Sequence, residues 1–392
     1  MTAETLKARR LYLVKKLSSW MLEEIVALAE LTSFSLVLLR TPEAQYRDGL
    51  EQVRNLGVQV LVKPFSMKGI GRRFFSALFF CLGHGRKMLG GYNAVIGWKA
   101  VYWFLRLNPD FFLKPFQIHA QFATQAALLA LLLCRGRPGC SFCFTVHAHD
   151  IFFPNRWLGL LAGAAEKVFC ISEFNIVYLR REYGLAGSDK LFLARLGVRP
   201  PEGVLTVNRE KDELVIGFMS RLIAKKGLPD LLAAFKVLTT EIPVRLLIAG
   251  DGPEAGRLKG LDNDRISYLG RISGPEKEVF FARRDLFVLP ARPAGHDLDG
   301  IPVVLMEAAD RGLPLVSTRV SGIPEICVDQ YNGLLVPPGD TAALAAALLK
   351  LGRDDDLRRR LGENSRQIAG QYDLVANTRV KAELLGWLEE ET

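Results

Sequence analysis

Strand-length apolar runs alternate with helix-length amphipathic runs along nearly all of this 392-residue chain. Parallel strands need a crossover between them, and a helix is the usual crossover, so the alternation predicts parallel α/β architecture. In the first half, Phe34–Leu39, Val58–Val62, Ser141–Val146, Val168–Ile171 and Leu191–Leu193 read as strands separated by helical patterns. In the second half, Leu214–Ser220, the run from Val244 into Gly250, Ile266–Arg271 and Leu286–Pro290 read the same way. The length admits two or three domains. The chain changes character at Gly197–Gly203, where two prolines and two glycines make a linker. A second junction falls at Tyr372–Asp373, followed by a helical pattern to Leu388 with no strand after it. The expected division is 1–198 with 374–392, and 199–373.

The stretch Asp299-Gly-Ile-Pro-Val-Val-Leu-Met-Glu307 carries the sharpest chemistry. Gly300 and Pro302 mark a turn and a helix start, and Val303–Asp310 reads as a short helix. Asp299 then lies in the loop before the helix, and Glu307 more than a turn inside it. A helix N-terminus has unpaired N–H groups and partial positive charge, which suit a phosphate. Glu307 can accept two hydrogen bonds from a diol such as a ribose, and Asp299 can reach a hydroxyl of a second ring. A diphosphate, a ribose and a second ring together describe a nucleotide sugar.

Upstream, Arg221-Leu-Ile-Ala-Lys-Lys226-Gly follows an apolar strand. An Arg and a Lys five apart in one loop can converge on one anion, through charged hydrogen bonds worth roughly 1.5–3 kcal/mol each. Lys225 reads as a surface neighbour. Val244–Pro253 is a buried strand ending in Gly-Asp-Gly-Pro, which is not the dinucleotide fingerprint. Glu325 is a site candidate or an ordinary first-turn acid.

These residues resemble glycosyltransferase family 4, retaining enzymes of the GT-B fold and close in flavour to bacterial exopolysaccharide and lipopolysaccharide transferases. The family carries Glu, seven residues, Glu, then Ala-Met-Ala-x-Gly-x-Pro, with Arg-Leu-x-x-x-Lys-Gly and Gly-x-Gly-Pro upstream. Asp299 replaces the first Glu, which moves its carboxylate back by one methylene. The resemblance implies two Rossmann-like domains facing across a cleft, with the last helix crossing back to the N-terminal domain. It implies that Arg221 and Lys226 act on the donor diphosphate. Glu307, Gly300, Ile301, Pro302, Val303 and Val304 would hold the nucleotide sugar, and Gly270 and Arg271 would lie near its base.

The resemblance places acceptor chemistry in the N-terminal half. His147, after the strand ending at Val146, stands where the family has an active-site histidine. His147-Ala-His149-Asp150 can also be read as a metal site, and His149 as a satisfied structural histidine. His119 is an acceptor-side candidate, with Gln121 where the family has a second histidine. Ile171–Asn175 is another candidate loop, in which Ser172 is equally a helix cap. The first strand–helix loop, Lys15–Trp20, lacks the glycine pair of many members. Ser18 and Ser19, helped by two lysines, could donate to a phosphate there, or simply cap the helix.

Charge divides the chain. Residues 1–200 hold 26 Lys and Arg against 13 Asp and Glu, and the remainder holds 25 against 29. Many of the cations between Lys63 and Lys114 are interleaved with Phe and Trp, which suits an anionic membrane surface better than nucleic acid. Lys63, Lys68, Arg72, Arg73, Arg86 and Lys87 are the cations expected on that face. Phe122–Cys134 is too short to span a membrane, and no signal peptide is apparent. Six cysteines without a disulfide pattern fit a reducing cytoplasm.

The expectation is therefore a metal-independent retaining glycosyltransferase (EC 2.4) with no cofactor. It would be cytoplasmic and peripheral on the inner face of the cell membrane. It would use a nucleotide sugar, a UDP-sugar foremost, on a lipid-linked or polysaccharide acceptor, without binding nucleic acid. A nucleotide-sugar epimerase of the same fold and an inactive donor-binding scaffold are the alternatives.

Overall fold

The computed structural model describes residues 9–63, 70–89, 91–107, 115–201, 213–261 and 263–388. They fall into two compact units, Met1–Arg195 with Leu374–Thr392, and Leu196–Asp373.

The first unit is built on a seven-stranded sheet. Its strands are β1 (Arg9–Val14), β2 (Ser35–Leu38), β3 (Gln59–Val62), β4 (Phe116–Gln121), β5 (Ser141–Val146), β6 (Val168–Cys170) and β7 (Leu191–Leu193). Their order is β3-β2-β1-β4-β5-β6-β7, and every pairing is parallel. The strand order reverses between β1 and β4, so the loops following these strands open at one edge. β4 was not among the strands expected from apolar runs. Its sequence, Phe-Gln-Ile-His-Ala-Gln, is half polar, yet His119 and Gln121 are fully buried. Gln121 is tolerated there because both ends of its amide are paired inside the unit, while His119 is paired through Nε2 alone, its Nδ1 having no hydrogen-bond partner among the described residues.

The chain returns to this unit at its end. Helix Leu374–Leu385 buries Ala382 and Leu385 in the same core as Leu28, Phe34 and Leu36. Trp387 is fully buried, with its ring stacked on Phe34 at 5.9 Å and its carbonyl accepting from Thr32 Oγ1 at 2.7 Å. A buried aromatic of this size is worth about 3–5 kcal/mol against alanine, so the tail is firmly held.

The second unit carries six parallel strands: β8 (Leu214–Met219), β9 (Val244–Ala249), β10 (Ile266–Tyr268), β11 (Leu286–Leu289), β12 (Leu315–Thr318) and β13 (Gly333–Val336). Their order is β10-β9-β8-β11-β12-β13. The chain walks outward from β8 through β10, then returns to the other side of β8 with β11. The reversal thus lies between β8 and β11, and the loops after these two strands meet over it. Two glycines make that meeting possible. Gly227 has φ +70°, and a Cβ there would overlap the carbonyl oxygen of Pro290. Gly250 has φ +132°, and a Cβ would overlap the carbonyl oxygen of Ser220. A backbone bond from Arg292 N–H to Lys225 O at 2.8 Å ties the β8 and β11 loops together.

Candidate functional site

The β8–β11 reversal gathers four charged side chains. Lys226 Nζ lies 2.8 Å from Asp299 Oδ2. Lys225 Nζ lies 2.8 Å from Asp297 Oδ1 and 3.3 Å from Asp299 Oδ1. Lys225 is therefore not the surface cation its sequence context suggested; only 13 % of its side chain is exposed. The tight turn at Gly227 draws both lysines back over the β11 loop. Asp299 is 6 % exposed. Burial alone would push its carboxyl up, but Lys226 and Lys225 outweigh burial and hold it below the usual carboxylate range. Ser321, from the loop after β12, donates to the Asp299 carbonyl and to the Gly300 carbonyl at 3.0 Å. Nothing in the spacing of the motif pointed to Ser321, whose φ of +45° turns the hydroxyl toward these carbonyls.

Helix Val303–Asp310 begins where the sequence predicts, with Pro302 at the N-cap and Leu305, Met306, Ala308 and Ala309 buried behind it. Gly300, Ile301 and Pro302 are buried, while Val303 and Val304 are half-buried at the first turn. The first N–H groups of a helix have no partner within it, so this end offers donors to an anion. Glu307 projects one turn further on, half-buried, in an ion pair with Lys277 from helix Pro275–Ala282. Sequence reading did not link these two, because nothing in their 30-residue separation announces the contact. A ribose diol approaching Glu307 would share or displace that ammonium.

Arg221 is exposed at the start of the β8 loop and makes no side-chain ion pair among the described residues. Gly270, φ +65°, accepts from Gly250 N–H at 2.7 Å, which brings the β10 loop beside the β9 loop; Arg271 next to it is exposed. Glu325 falls in the first turn of the short helix Ile323–Ile326.

In the first unit, His147 follows β5 and is 6 % exposed. Its ring sits between Phe122, at 4.3 Å, and Trp20, at 5.0 Å, with Nε2 2.8 Å from Gln121 Oε1. Burial, then the Lys381 ammonium, pulls its pKa down to about 3, so the ring is neutral. Its backbone is clamped: Asp150 Oδ1 accepts from His147 N–H at 2.9 Å, and Asn175 Nδ2 donates to His147 O at 2.8 Å. Asp150 also accepts from Ala123 N–H at 2.8 Å, and burial pushes its carboxyl up to about 6. His149 points elsewhere, exposed and stacked on Phe153 at 4.3 Å. The three side chains of the His-x-His-Asp run therefore diverge and do not form one ligand set. His119 is fully buried, with Nε2 3.1 Å from Thr145 Oγ1. It is a structural neighbour of the site here, not a surface for an acceptor. Ser172 caps its helix by accepting from Asn175 N–H at 3.0 Å. Ser18 is the N-cap residue of helix Ser19–Leu31, without a side-chain cap bond.

Residues 206–368 match the family described as "Glycosyl transferases group 1". The amylovoran biosynthesis glycosyltransferase AmsK of Erwinia amylovora is 34% identical over 176 residues, 43% of this chain and 43% of its own. The N-acetyl-alpha-D-glucosaminyl L-malate synthase of Bacillus anthracis is 28% identical over 242 residues, 58% of this chain and 55% of its own. These alignments thus span about half the length of the relatives. Among solved structures, Anabaena HepE in complex with UDP and glucose superposes with a TM-score of 0.67 at 18% identity, covering 97% of this chain and 100% of that one. Sucrose-phosphate synthase from Thermosynechococcus elongatus gives 0.66 at 17% identity, covering 96% and 98%. The chain has the GT-B fold of these glycosyltransferases, and residues 206–368 are similar to the group 1 glycosyltransferases.

Proposed function

We propose that the chain is a retaining glycosyltransferase that moves a sugar from a nucleotide sugar to a lipid-linked or polysaccharide acceptor. The observation that carries this is the pairing of Lys226 with Asp299 over the strand-order reversal of the second unit, beside a helix N-terminus with Glu307 one turn inside. In this reading the diphosphate binds at the helix end, Glu307 takes the ribose, and Asp299 contacts the transferred sugar. Negative charge grows on the departing diphosphate. Arg221, Lys226 and the helix N–H groups stabilise it where it develops, and fixed charges and dipoles of this kind are usually what lowers such a barrier most. The departing phosphate takes the acceptor proton, and no metal or cofactor is required. The UDP in the HepE complex supports a uridine donor here, and the polysaccharide named for AmsK supports a polysaccharide acceptor.

The acceptor half fits an anionic partner. Burial lowers the Lys15 ammonium, and the Arg40 and Lys99 charges lower it further, so three cations share one neighbourhood. Helix Ile70–Gly83 presents Phe74, Phe75, Leu78, Phe79 and Leu82 to solvent, and Phe79 is 68 % exposed. Trp98 and Tyr102 on helix Gly91–Arg106 are also about half exposed. An apolar stripe of this size marks an interaction surface. The only carboxylate between Glu51 and Asp150 is Asp110. Apolar and cationic together, the surface suits the anionic inner face of a membrane. One cation expected there belongs inside: Arg73 is 6 % exposed and donates to the carbonyls of Phe104, at 2.9 Å, and Leu107. Lys63 and Arg86 are exposed, and Lys87 lies 5.7 Å over the Trp157 ring. Lys68 and the Arg72 side chain lie outside the described residues.

The test is a mass-spectrometric screen of several nucleotide sugars with and without acceptor lipid. Acceptor-dependent glycoside formation supports the transferase. Epimerised donor without a glycoside would make it an epimerase, and binding without turnover a scaffold.

A further inference from the structure

Five buried side chains of the first unit form one chain of hydrogen bonds that ends on His147. Lys381, on helix Leu374–Leu385, donates from Nζ to Glu24 Oε1 at 2.7 Å, although 357 positions separate them in sequence. Lys381 is 2 % exposed and Glu24 5 %. The same Glu24 oxygen accepts from the Tyr12 hydroxyl and, at 3.1 Å, from Gln121 Nε2. Gln121 Nε2 also donates to the Tyr12 oxygen, and Gln121 Oε1 lies 2.8 Å from His147 Nε2.

The order of the atoms fixes the direction of every bond. A carboxylate paired with an ammonium can only accept, so the Gln121 nitrogen must face Glu24. Its oxygen must then face His147. An amide oxygen also can only accept, so His147 Nε2 must carry a proton. In a neutral imidazole the other nitrogen, Nδ1, is then a bare acceptor. No hydrogen bond to that nitrogen is made among the described residues. With the backbone of His147 held by Asp150 and Asn175, rotation and tautomer of the ring are the remaining freedoms, and Gln121 settles both.

We propose that Lys381, through Glu24 and Gln121, holds His147 in the Nε2–H tautomer and so presents Nδ1 as a hydrogen-bond acceptor. Lys381, Glu24 and Gln121 are positioning residues, because each acts through the next. The C-terminal helix thereby has a task besides closing the core: it supplies the charge that orients the chain. That Nδ1 receives a hydroxyl of a substrate sugar rests on the transferase reading; the tautomer does not. Removing the ammonium leaves the buried Glu24 carboxylate without its counter-charge and loosens the network that holds Gln121, which would let the amide turn over.

The test is long-range 1H–15N correlation on the full chain with labelled histidine, at neutral pH. His147→Gln identifies the His147 signals among the five histidines. The wild type should show a protonated Nε2 and a bare Nδ1 at His147. Gln121→Leu should mix the two tautomers, and Lys381→Met should do so while Lys381→Arg restores one. A wild-type His147 protonated at Nδ1 overturns the proposal whatever the variants do. Should Lys381→Met fold and leave the tautomer unmixed, Lys381 has no part in it; should it fail to fold, the wild-type and Gln121→Leu spectra decide. Donor turnover is measured on the same samples. Absent turnover in a wild type with the expected tautomer counts against the transferase reading alone.

Discussion

Lys226 and Asp299 leave two different strands, β8 and β11, and join at 2.8 Å over the reversal of strand order in the second unit. In the proposed reading both act on a substrate with a charged leaving group, and each also supports the other's burial. Lys226→Ala leaves Lys225 to neutralise Asp299, at 3.3 Å. The expected stability loss is therefore only about 1 kcal/mol, below the 3–5 kcal/mol of a fully broken buried pair. Turnover should fall on the order of 100-fold, as for loss of one charge-stabilising group. Parallel thermal melts and steady-state kinetics check this; a loss of turnover no larger than the loss of stability would make the pair structural.

Arg221 separates function from fold more cleanly. It is exposed and makes no side-chain ion pair among the described residues. Arg221→Ala should leave unfolding within about 0.5 kcal/mol of wild type, as surface changes usually do. Its turnover should still drop at least tenfold. Wild-type kinetics in this variant would move the diphosphate away from the β8 loop.

Asp299→Asn keeps the size of the side chain but removes its charge. Transfer should be impaired while affinity for free nucleoside diphosphate changes little, since that ligand lacks the sugar. Calorimetry with nucleoside diphosphate, beside an assay of transfer, reads the two separately. Equal loss of both would assign Asp299 to the nucleotide or to the fold.

Acid stability carries the signature of His147. Its pKa is held at about 3 against an ordinary 6.5. As pH falls below 6.5 the unfolded chain takes up a proton that the native chain refuses, so stability declines from there toward pH 3. His119, also held down by burial, acts in the same direction. Asp150 opposes them: with its carboxyl raised from 3.8 to about 6, its contribution is fully present below 3.8 and lost as pH rises through 6. His147→Gln should flatten the decline and Asp150→Asn should steepen it, read as melting temperatures in half-unit steps from pH 7.5 to about 4. An acid limb unchanged by His147→Gln would contradict the buried neutral ring.

The exposed stripe on helix Ile70–Gly83 predicts reversible binding to anionic vesicles, falling with salt. Phe75→Ser with Phe79→Ser should abolish co-sedimentation and leave the melting temperature unchanged. Arg73→Ala should do the opposite, losing about 1–3 kcal/mol of stability through two orphaned carbonyls. Equal binding to neutral vesicles, or none to anionic ones, would leave the cationic face for an acidic polysaccharide.

Much of this was legible because local chemistry and tertiary structure agree. Helix Val303–Asp310 is announced by Pro302 before it and by four apolar residues on its inner face, so its bounds follow from sequence. β6 and β7 likewise follow from uninterrupted apolar runs. β4 was hidden because its buried Gln121 and the Nε2 of His119 find partners in Tyr12, Glu24 and Thr145, contributed by other elements. The same reason hid the burial of Arg73, Lys225 and Lys381. A cation reads as surface unless its partner is known, and Glu24 lies at the far end of the chain from Lys381. Glu307 was legible as an acid one turn into a helix, but Lys277 opposite it was not. The pattern of residues outlined the backbone of the candidate site; the pairing of its charges depends on contacts that no local spacing encodes.

The central claim is that the carboxyl edge of the second sheet holds the ribose and diphosphate of a nucleotide. Isothermal calorimetry of UDP and GDP against the wild type and Glu307→Ala tests it most directly. The account predicts measurable binding of at least one nucleotide to the wild type. It predicts at least a tenfold loss, about 1.4 kcal/mol, in Glu307→Ala with an unchanged melting temperature. Undiminished affinity in that variant, with its fold intact, would remove Glu307 from the site and contradict the account.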